Sequence, residues 1–357
     1  MKQSSPITAS VVGGGSGGGL SLDALANSDV YRLVAVADID PDTCNLLAER
    51  FPGILTYPNH RQMLSDSPTD IICVSTWAPS HEEVVLDALE SPLRGILVEK
   101  PLGHTAASGG RIVDAIKSRS LPMVVPHNLM ARSVSIDILE RVRSGIVGEL
   151  RLVEIECAKW DIINAGIHWL HFFVNLTGLD PIDSVLATCD SKSKTYRDGF
   201  QVETAAITLV ETMSGIRCVM QTGDDVRTRY VDGGEIGFRI VGTDGAIEFS
   251  DVWGNNSYRI VNGDGARKIT PPELPFSGHR YHLERLAGMI DANRPDYAIA
   301  DSSLMALEAC EAAYLSNRHR CRIDFPLNTF TQPAPIVWDP GMPYDGTGGG
   351  RDGRQLQ

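Results

Sequence analysis

The stretch Ile7-Thr-Ala-Ser-Val-Val-Gly-Gly-Gly-Ser-Gly-Gly-Gly19 decides the fold. An apolar run over 7–12 passes directly into glycines broken only by Ser16. Gly13, Gly15 and Gly18 satisfy G-x-G-x-x-G, a weak signal by itself in so glycine-rich a segment. Its context strengthens it. A strand pattern precedes the glycines and a helical pattern over 20–26 follows. Both are needed, because the glycines let backbone approach a pyrophosphate at a helix N-terminus. Asp38 ends the next apolar run, YRLVAVAD, 20 residues after Gly18. An acid there accepts hydrogen bonds from ribose hydroxyls and repels a 2′-phosphate. The residues that follow, Ile39, Asp40 and Pro41, include no arginine to receive that phosphate. The segment therefore predicts an NAD site, with NADP disfavoured. Gly14, Gly17 and Gly19 are surplus to the pattern.

Outward from this point, residues 7–125 alternate short apolar runs with helical patterns: YRLVAVAD, DIICVST, GILVEKP and PMVVPH are separated by helical stretches over 41–50, 81–89 and 106–118. Such runs mark parallel strands covered on both faces, hence an α/β domain with a doubly wound sheet over 1–126. The texture then changes. ELRLVEIECAKW, AAITLVE, GIRCVMQTG, IGFRIVG and GAIEFS alternate and are joined by turn residues. They predict a large, mostly antiparallel open sheet in a second, α+β domain over 127–327, closed by helices at 282–292 and 302–316. Residues 328–357 form a Pro/Gly-rich arm carrying Trp338, Tyr344, Arg351 and Arg354.

Composition narrows the partners. A length of 357 residues suggests about two domains, and 32 basic against 45 acidic side chains give a net charge of −13. That balance disfavours a nucleic-acid partner, which needs a basic excess. No apolar run approaches the ~20 residues of a membrane span, and the N-terminus has no secretory pattern, so a cytoplasmic location is expected. Seven cysteines without CxxC spacing indicate thiols and not a zinc site.

Glu99-Lys100-Pro101 closes the run GILV, at a strand end where ligands of such sheets bind. In order along the chain stand the glycine turn, Thr76-Trp-Ala-Pro-Ser-His81, Glu99-Lys100-Pro101, Gly145-Ile-Val-Gly-Glu149, Gly166-Ile-His168 and Arg239-Ile-Val-Gly-Thr-Asp-Gly-Ala-Ile247. The set resembles the Gfo/Idh/MocA family, which includes glucose–fructose oxidoreductase and inositol dehydrogenase, over roughly residues 8–325. The resemblance implies a Rossmann domain, a second domain that often mediates oligomers (a homodimer or homotetramer through its sheet), and a sugar or polyol substrate. It also implies that Lys100 contacts the substrate hydroxyl and the nicotinamide region, that Glu99 positions the cofactor, and that Thr76 and His81 line the nicotinamide side. His168 would be the general acid/base.

One position departs from the family pattern. Many members carry Asp four residues before that histidine, and here Asn164 stands there. An Asn can orient an imidazole by a hydrogen bond but cannot stabilise its cation by charge. Asn164 is expected as the helix N-cap. His171 lies at i+3 from His168, so the pair either packs or ligates a metal; no metal is assigned. His127, Asn128, Lys159 and Asp161, with His171, are the candidate substrate contacts.

These residues predict an NAD-dependent dehydrogenase acting on a hydroxyl of a sugar, sugar acid or cyclitol. His168 is the first choice of base, since imidazole starts near about 6.5, whereas a lysine starts near about 10.4. Lys100 is the second choice, or an alkoxide stabiliser. Two other classes compete: a non-catalytic NAD-binding sensor or scaffold, and a lyase- or glycosidase-like enzyme that uses NAD transiently.

Overall fold

The computed structural model describes residues 5–190, 195–229, 234–250 and 255–327. The arm expected over 328–357 lies outside the described residues.

The first half alternates strands and helices: β1 (Ile7–Val12), α1 (Ser16–Ala26), β2 (Tyr31–Ala37), α2 (Pro41–Arg50), β3 (Leu55–Tyr57), α3 (His60–Asp66), β4 (Ile71–Val74), α4 (Ala78–Leu89), β5 (Gly95–Val98), α5 (Ala106–Ser118) and β6 (Met123–Val124). The six strands pair in parallel in the order β3-β2-β1-β4-β5-β6. Order reverses beside β1, so a crevice opens at the carboxyl ends of β1 and β4. The strands are apolar on both faces because both faces are covered. Val12, Ile72, Val74 and Ile96 pack toward α4 and α5, whereas Ala9, Val11, Ile71 and Leu97 pack with Leu22 and Leu25 of α1. The β3–α3 pair was not anticipated from the sequence; its strand is three residues long and none is fully buried, so it carries little apolar signal.

The second half begins with α6 (Ser133–Arg143), β7 (Leu150–Ala158) and α7 (Ile167–Leu176), followed by β8 (Ile182–Cys189) and a small hairpin of β9 (Thr195–Arg197) and β10 (Phe200–Val202). β11 (Ala205–Thr212), β12 (Arg217–Gly223), β13 (Ile236–Gly242), β14 (Gly245–Ser250), β15 (Tyr258–Asn262) and β16 (Gly265–Ile269) come next, then α8 (Gly278–Asp291), α9 (Ala298–His319) and β17 (Ile323–Asp324). Nine strands form one sheet in the order β16-β15-β14-β13-β7-β12-β11-β8-β17. All its ladders are antiparallel except β7 with β12, which runs parallel. Alternation in a sequence reports which side chains share a face, not the direction of the neighbouring strand.

One expectation about the helices is corrected. α8 does not close the second domain. Its apolar face, Leu283, Leu286, Ala287 and Ile290, packs on the first sheet beside α1, and Tyr31 of β2 donates to the Leu283 carbonyl at 2.6 Å. The 3.6-residue period made α8 amphipathic, but nothing in it encodes which sheet it covers. α9 does cover the second sheet, with Ala306, Ala309, Ala312 and Ala313 buried. α7 is buried on all sides. A helix hydrophobic all round belongs in a core, yet α7 also brings His168, His171 and Asn175 inside. No helix among the described residues is long and apolar enough to cross a membrane.

Candidate active site

A cleft of about 900 Å³ runs from the glycine turn to the start of α7. Gly13, Gly15, Gly17, Asp38, Thr76, Trp77, Glu99, Lys100, Asn128, Trp160, Asn164, His168 and His279 line it.

The floor is the turn after β1. Gly13 has a φ of +92°, which side chains resist, and a Cβ there would lie 2.6 Å from the Ser75 carbonyl oxygen. A Cβ on Gly18 would overlap the carbonyl oxygen of Gly13, so the third glycine of the pattern lets α1 close against the turn and does not face the cleft. Gly15 faces open space at the N-cap of α1, and no side chain caps that end. An uncapped helix N-terminus with unpaired N–H groups suits a phosphate. Of the surplus glycines, Gly14 acquires a reason: a Cβ would sit 2.5 Å from a methyl of Leu47 on α2. Asp38 is fixed by the backbone, its Oδ2 accepting from the Gly14 N–H at 2.6 Å and its Oδ1 from the Asp40 N–H at 2.9 Å. Turn, uncapped helix and acid together fit a dinucleotide.

The middle of the cleft carries the charges. Glu99 is buried; its Oε1 pairs with Nε2 of His279 from α8, and its Oε2 accepts from the Lys100 N–H at 3.0 Å. Burial pushes the Glu99 carboxyl up, but the neighbouring His279 and Lys100 more than offset this and hold it below the usual carboxylate range. Lys100 turns its ammonium the other way, donating from Nζ to the backbone carbonyl of Asn164 at 3.0 Å. Thr76 lines the wall, and buried His81 lies behind it, donating from Nε2 to the Thr76 carbonyl at 2.8 Å. His81 thus props the loop and does not itself line the cleft.

The far wall is the turn that precedes α7, a single π-helical turn over Ile162–Gly166. Its N-cap is Asp161, not Asn164 as expected. Asp161 Oδ1 accepts from both the backbone N–H and the side-chain amide of Asn164, at 2.8 and 3.0 Å, while Oδ2 pairs with Arg197 at 3.0 Å. Asn164 makes no hydrogen bond to His168. It lines the cleft, and its Oδ1 is buried without a partner among the described residues, as a site for a ligand hydroxyl would be. His168 follows in the first turn of α7. Burial first, and then the Lys100 ammonium, push this imidazole well below its ordinary value.

The remaining sequence candidates divide. Asn128 lines the cleft. Lys159 is a correction: it is largely exposed, pairs with Glu235 and lies off the cleft. Asp161, His127 and His171 are also corrections as substrate contacts, since all three are buried behind the wall. His171 Nε2 is engaged by Ser302 Oγ at 2.9 Å, and burial pushes its ring down to about 3. Among the described residues the grouping with metal-like spacing is instead His60, Glu83 and Asp87, on the outer rim, where Arg61 already pairs with both acids.

Comparison with known proteins identifies the family. Residues 7–127 match the oxidoreductase family model with an NAD-binding Rossmann fold, and residues 137–248 match the GFO/IDH/MocA C-terminal domain. The chain belongs to the Gfo/Idh/MocA family. Curated relatives of this family include inositol 2-dehydrogenase/D-chiro-inositol 3-dehydrogenase of Shouchella clausii, 28% identical over 62% of this chain and 65% of that protein. The rhizopine catabolism protein MocA of Rhizobium meliloti is 26% identical over 68% of this chain and 78% of its own length. Solved structures with a similar fold include levoglucosan dehydrogenase in complex with NADH and levoglucosan, with a TM-score of 0.77 at 16% identity, covering 90% of this chain and all of that one. GenD2 from gentamicin A biosynthesis, in complex with NAD, gives a TM-score of 0.74 at 20% identity over 91% and 98% of the two chains. At these identities the two structures share the fold.

Within the Gfo/Idh/MocA framework, two contributors were not legible in the sequence. His279 reaches the cleft from α8, 180 residues after its partner Glu99. Ser303 reaches the back of the site from α9. Neither sits in a motif, and a serine or histidine on an amphipathic helix carries no functional signal until the helix is docked.

Proposed function

We propose that the protein is an NAD-dependent dehydrogenase that oxidises a hydroxyl of a sugar, sugar acid or cyclitol. The observation that carries this reading is the meeting of Lys100 and His168 on one cleft with the glycine turn and Asp38. The names of the curated relatives support the substrate class. NAD would supply the hydride acceptor. Gly13 and Gly15 leave room for its pyrophosphate at the N-terminus of α1, and Asp38, held by the Gly14 N–H, accepts from ribose hydroxyls.

His168 takes the hydroxyl proton. A neutral imidazole is the form a base needs, and burial keeps it neutral around pH 7. Lys100, fixed by the Asn164 carbonyl, holds positive charge where the substrate oxygen becomes negative. The free Oδ1 of Asn164 accepts from a further substrate hydroxyl, and Trp160 offers a face for a sugar ring. Trp160 is itself steadied by Arg197, whose guanidinium lies 4.5 Å from its ring centroid.

Copies of the chain associate, in this reading, through the outer face of the nine-stranded sheet. That face exposes Leu186 and Ile207, at 47% and 52%, and half-buried Leu209 lies beside Leu186 on one side and beside Val219 on the other. Contiguous apolar side chains on a broad sheet are what an interface covers.

A screen of sugars, sugar acids and inositols with NAD⁺ and NADP⁺, followed by absorbance of the reduced nicotinamide, tests the reading. Net reduced cofactor with NAD⁺ is expected. Substrate consumption with no net reduction would instead place the chemistry in the lyase-like class.

A further inference from the structure

Behind the cleft wall lies a cluster of buried imidazoles that the mechanism above does not use. His127 follows β6, and its ring stacks on that of His171 with centroids 3.8 Å apart and planes within 7°. Its Nδ1 lies 3.3 Å from Nδ1 of His168, edge to face. Its Nε2 lies 2.9 Å from Ser303 Oγ on α9, and its backbone carbonyl accepts from Nε2 of His282 at 3.1 Å. Ring, both nitrogens and carbonyl are all engaged, so the residue has one position.

A contact between two Nδ1 atoms holds one proton. Two N–H groups would collide, and two lone pairs would repel. Both rings are neutral at ordinary pH, since burial pushes each well below its usual value. Two arrangements then remain. Either His168 donates from Nδ1 and its Nε2 is bare, or His127 donates and His168 Nε2 carries the proton.

The surroundings favour the first. Nδ1 of His168 points at buried His127, which leaves Nε2 as the polar atom for the cleft that His168 lines. The charged and titratable groups facing His168 are Lys100 at the end of β5, His171 on α7, and His279 and His282 on α8, together with His127. The Lys100 ammonium favours a lone pair over a proton on the ring edge toward it. At the other end, Ser303 Oγ can accept from His127 Nε2, so the second ring has a place for its own proton.

We propose that His127 is a positioning residue whose Nδ1 accepts the Nδ1–H of His168, leaving the His168 Nε2 lone pair directed to the substrate hydroxyl. The assignment rests on the reading of His168 as the base. On proton transfer the substrate O–H bond breaks and its electron pair stays on oxygen. The proton joins His168 Nε2, and the resulting imidazolium keeps its Nδ1–H on His127. No proton leaves the pair, and no second carboxylate is required. A neutral imidazole thus orients the base where an acid would otherwise do so.

Long-range ¹H–¹⁵N correlation spectra of protein labelled at its histidine rings read the tautomer directly, without substrate. The His168 signals are those lost in His168→Gln. Near neutral pH the expected form has Nδ1 protonated and Nε2 bare. An Nε2–H form in the wild type overturns the proposal, whatever the enzyme turns over. His127→Phe keeps a ring against His171 but removes the acceptor. It should lower the Nδ1–H fraction of His168 and reduce kcat by more than about tenfold with little change in KM for NAD. Ser303→Ala, which keeps both rings, should lower that fraction too. An unchanged Nδ1–H fraction in the variants also overturns the proposal. If the tautomer is as expected but no sugar or cyclitol is oxidised, the functional reading fails and the positioning role stands.

Discussion

The Lys100 ammonium donates to the backbone carbonyl of Asn164 at 3.0 Å. This one contact joins the end of β5 in the first sheet to the turn before α7 in the second half of the chain. It holds the cation beside the imidazole of His168 and makes a single site from two separate segments.

Removing that cation should cost catalysis more than binding. Lys100→Met is expected to lower kcat by about 10²- to 10³-fold, as loss of an electrostatic stabiliser does. Steady-state kinetics with the best substrate of the screen measure it. Lys159→Ala, on the surface with Glu235, should leave kcat/KM unchanged. Equal losses at the two positions would contradict the assignment of Lys100.

Cofactor choice should reside in Asp38. Its carboxylate already accepts from Gly14 and Asp40, so it is oriented before any ligand arrives. Asp38→Ser should raise KM for NAD by about 10- to 100-fold, the worth of hydrogen bonds to a charged acceptor. It should also lower KM for NADP by removing repulsion of the 2′-phosphate. A ratio of the two KM values that does not move would exclude this role.

Stability should fall on mild acidification. His127, His168, His171 and His282 are all buried and lowered, the last two to about 3 from 6.5. In the unfolded chain each binds a proton below about pH 6.5, but in the fold each stays neutral to a much lower pH. Unfolding therefore takes up protons between those values, and each group removes up to about 1.4 kcal/mol per pH unit as pH drops. Urea unfolding from about pH 7 to pH 5 should show a steep decline. A flat stability across that window would mean that these imidazoles are charged in the fold.

Association should depend on the outer sheet face. Ile207→Glu combined with Leu186→Glu places charge at two exposed apolar positions. Sedimentation velocity should then report a smaller species than wild type. An unchanged sedimentation coefficient would move the interface elsewhere.

Much of the first half was legible because its signals are local. The run from Ile7 to Asp38 carries a strand, a turn, a helix start and an acid within reach of one another, and each needs only its neighbours to be understood. Glu99-Lys100-Pro101 and His168 were legible as motif residues. The N-cap was misassigned to Asn164 because Asp161 and Asn164 are both good caps, and the π-helical turn that selects Asp161 has no sequence mark. Lys159 is polar and close in sequence to the wall, but its side chain is largely exposed and pairs with Glu235.

The sequence by itself thus determined the nucleotide turn and the parallel sheet, since periodicity and turn chemistry act over a few residues, and its family resemblance singled out Lys100 and His168 as candidates. Tertiary structure alone decided what surrounds them. His127, His168 and Ser303 meet although 41 and 176 residues separate His127 from the other two, and α8 crosses back to bring His279 to Glu99. A period tells a helix which face to bury but not against what. The partner of His168 is set only when those buried faces pack together.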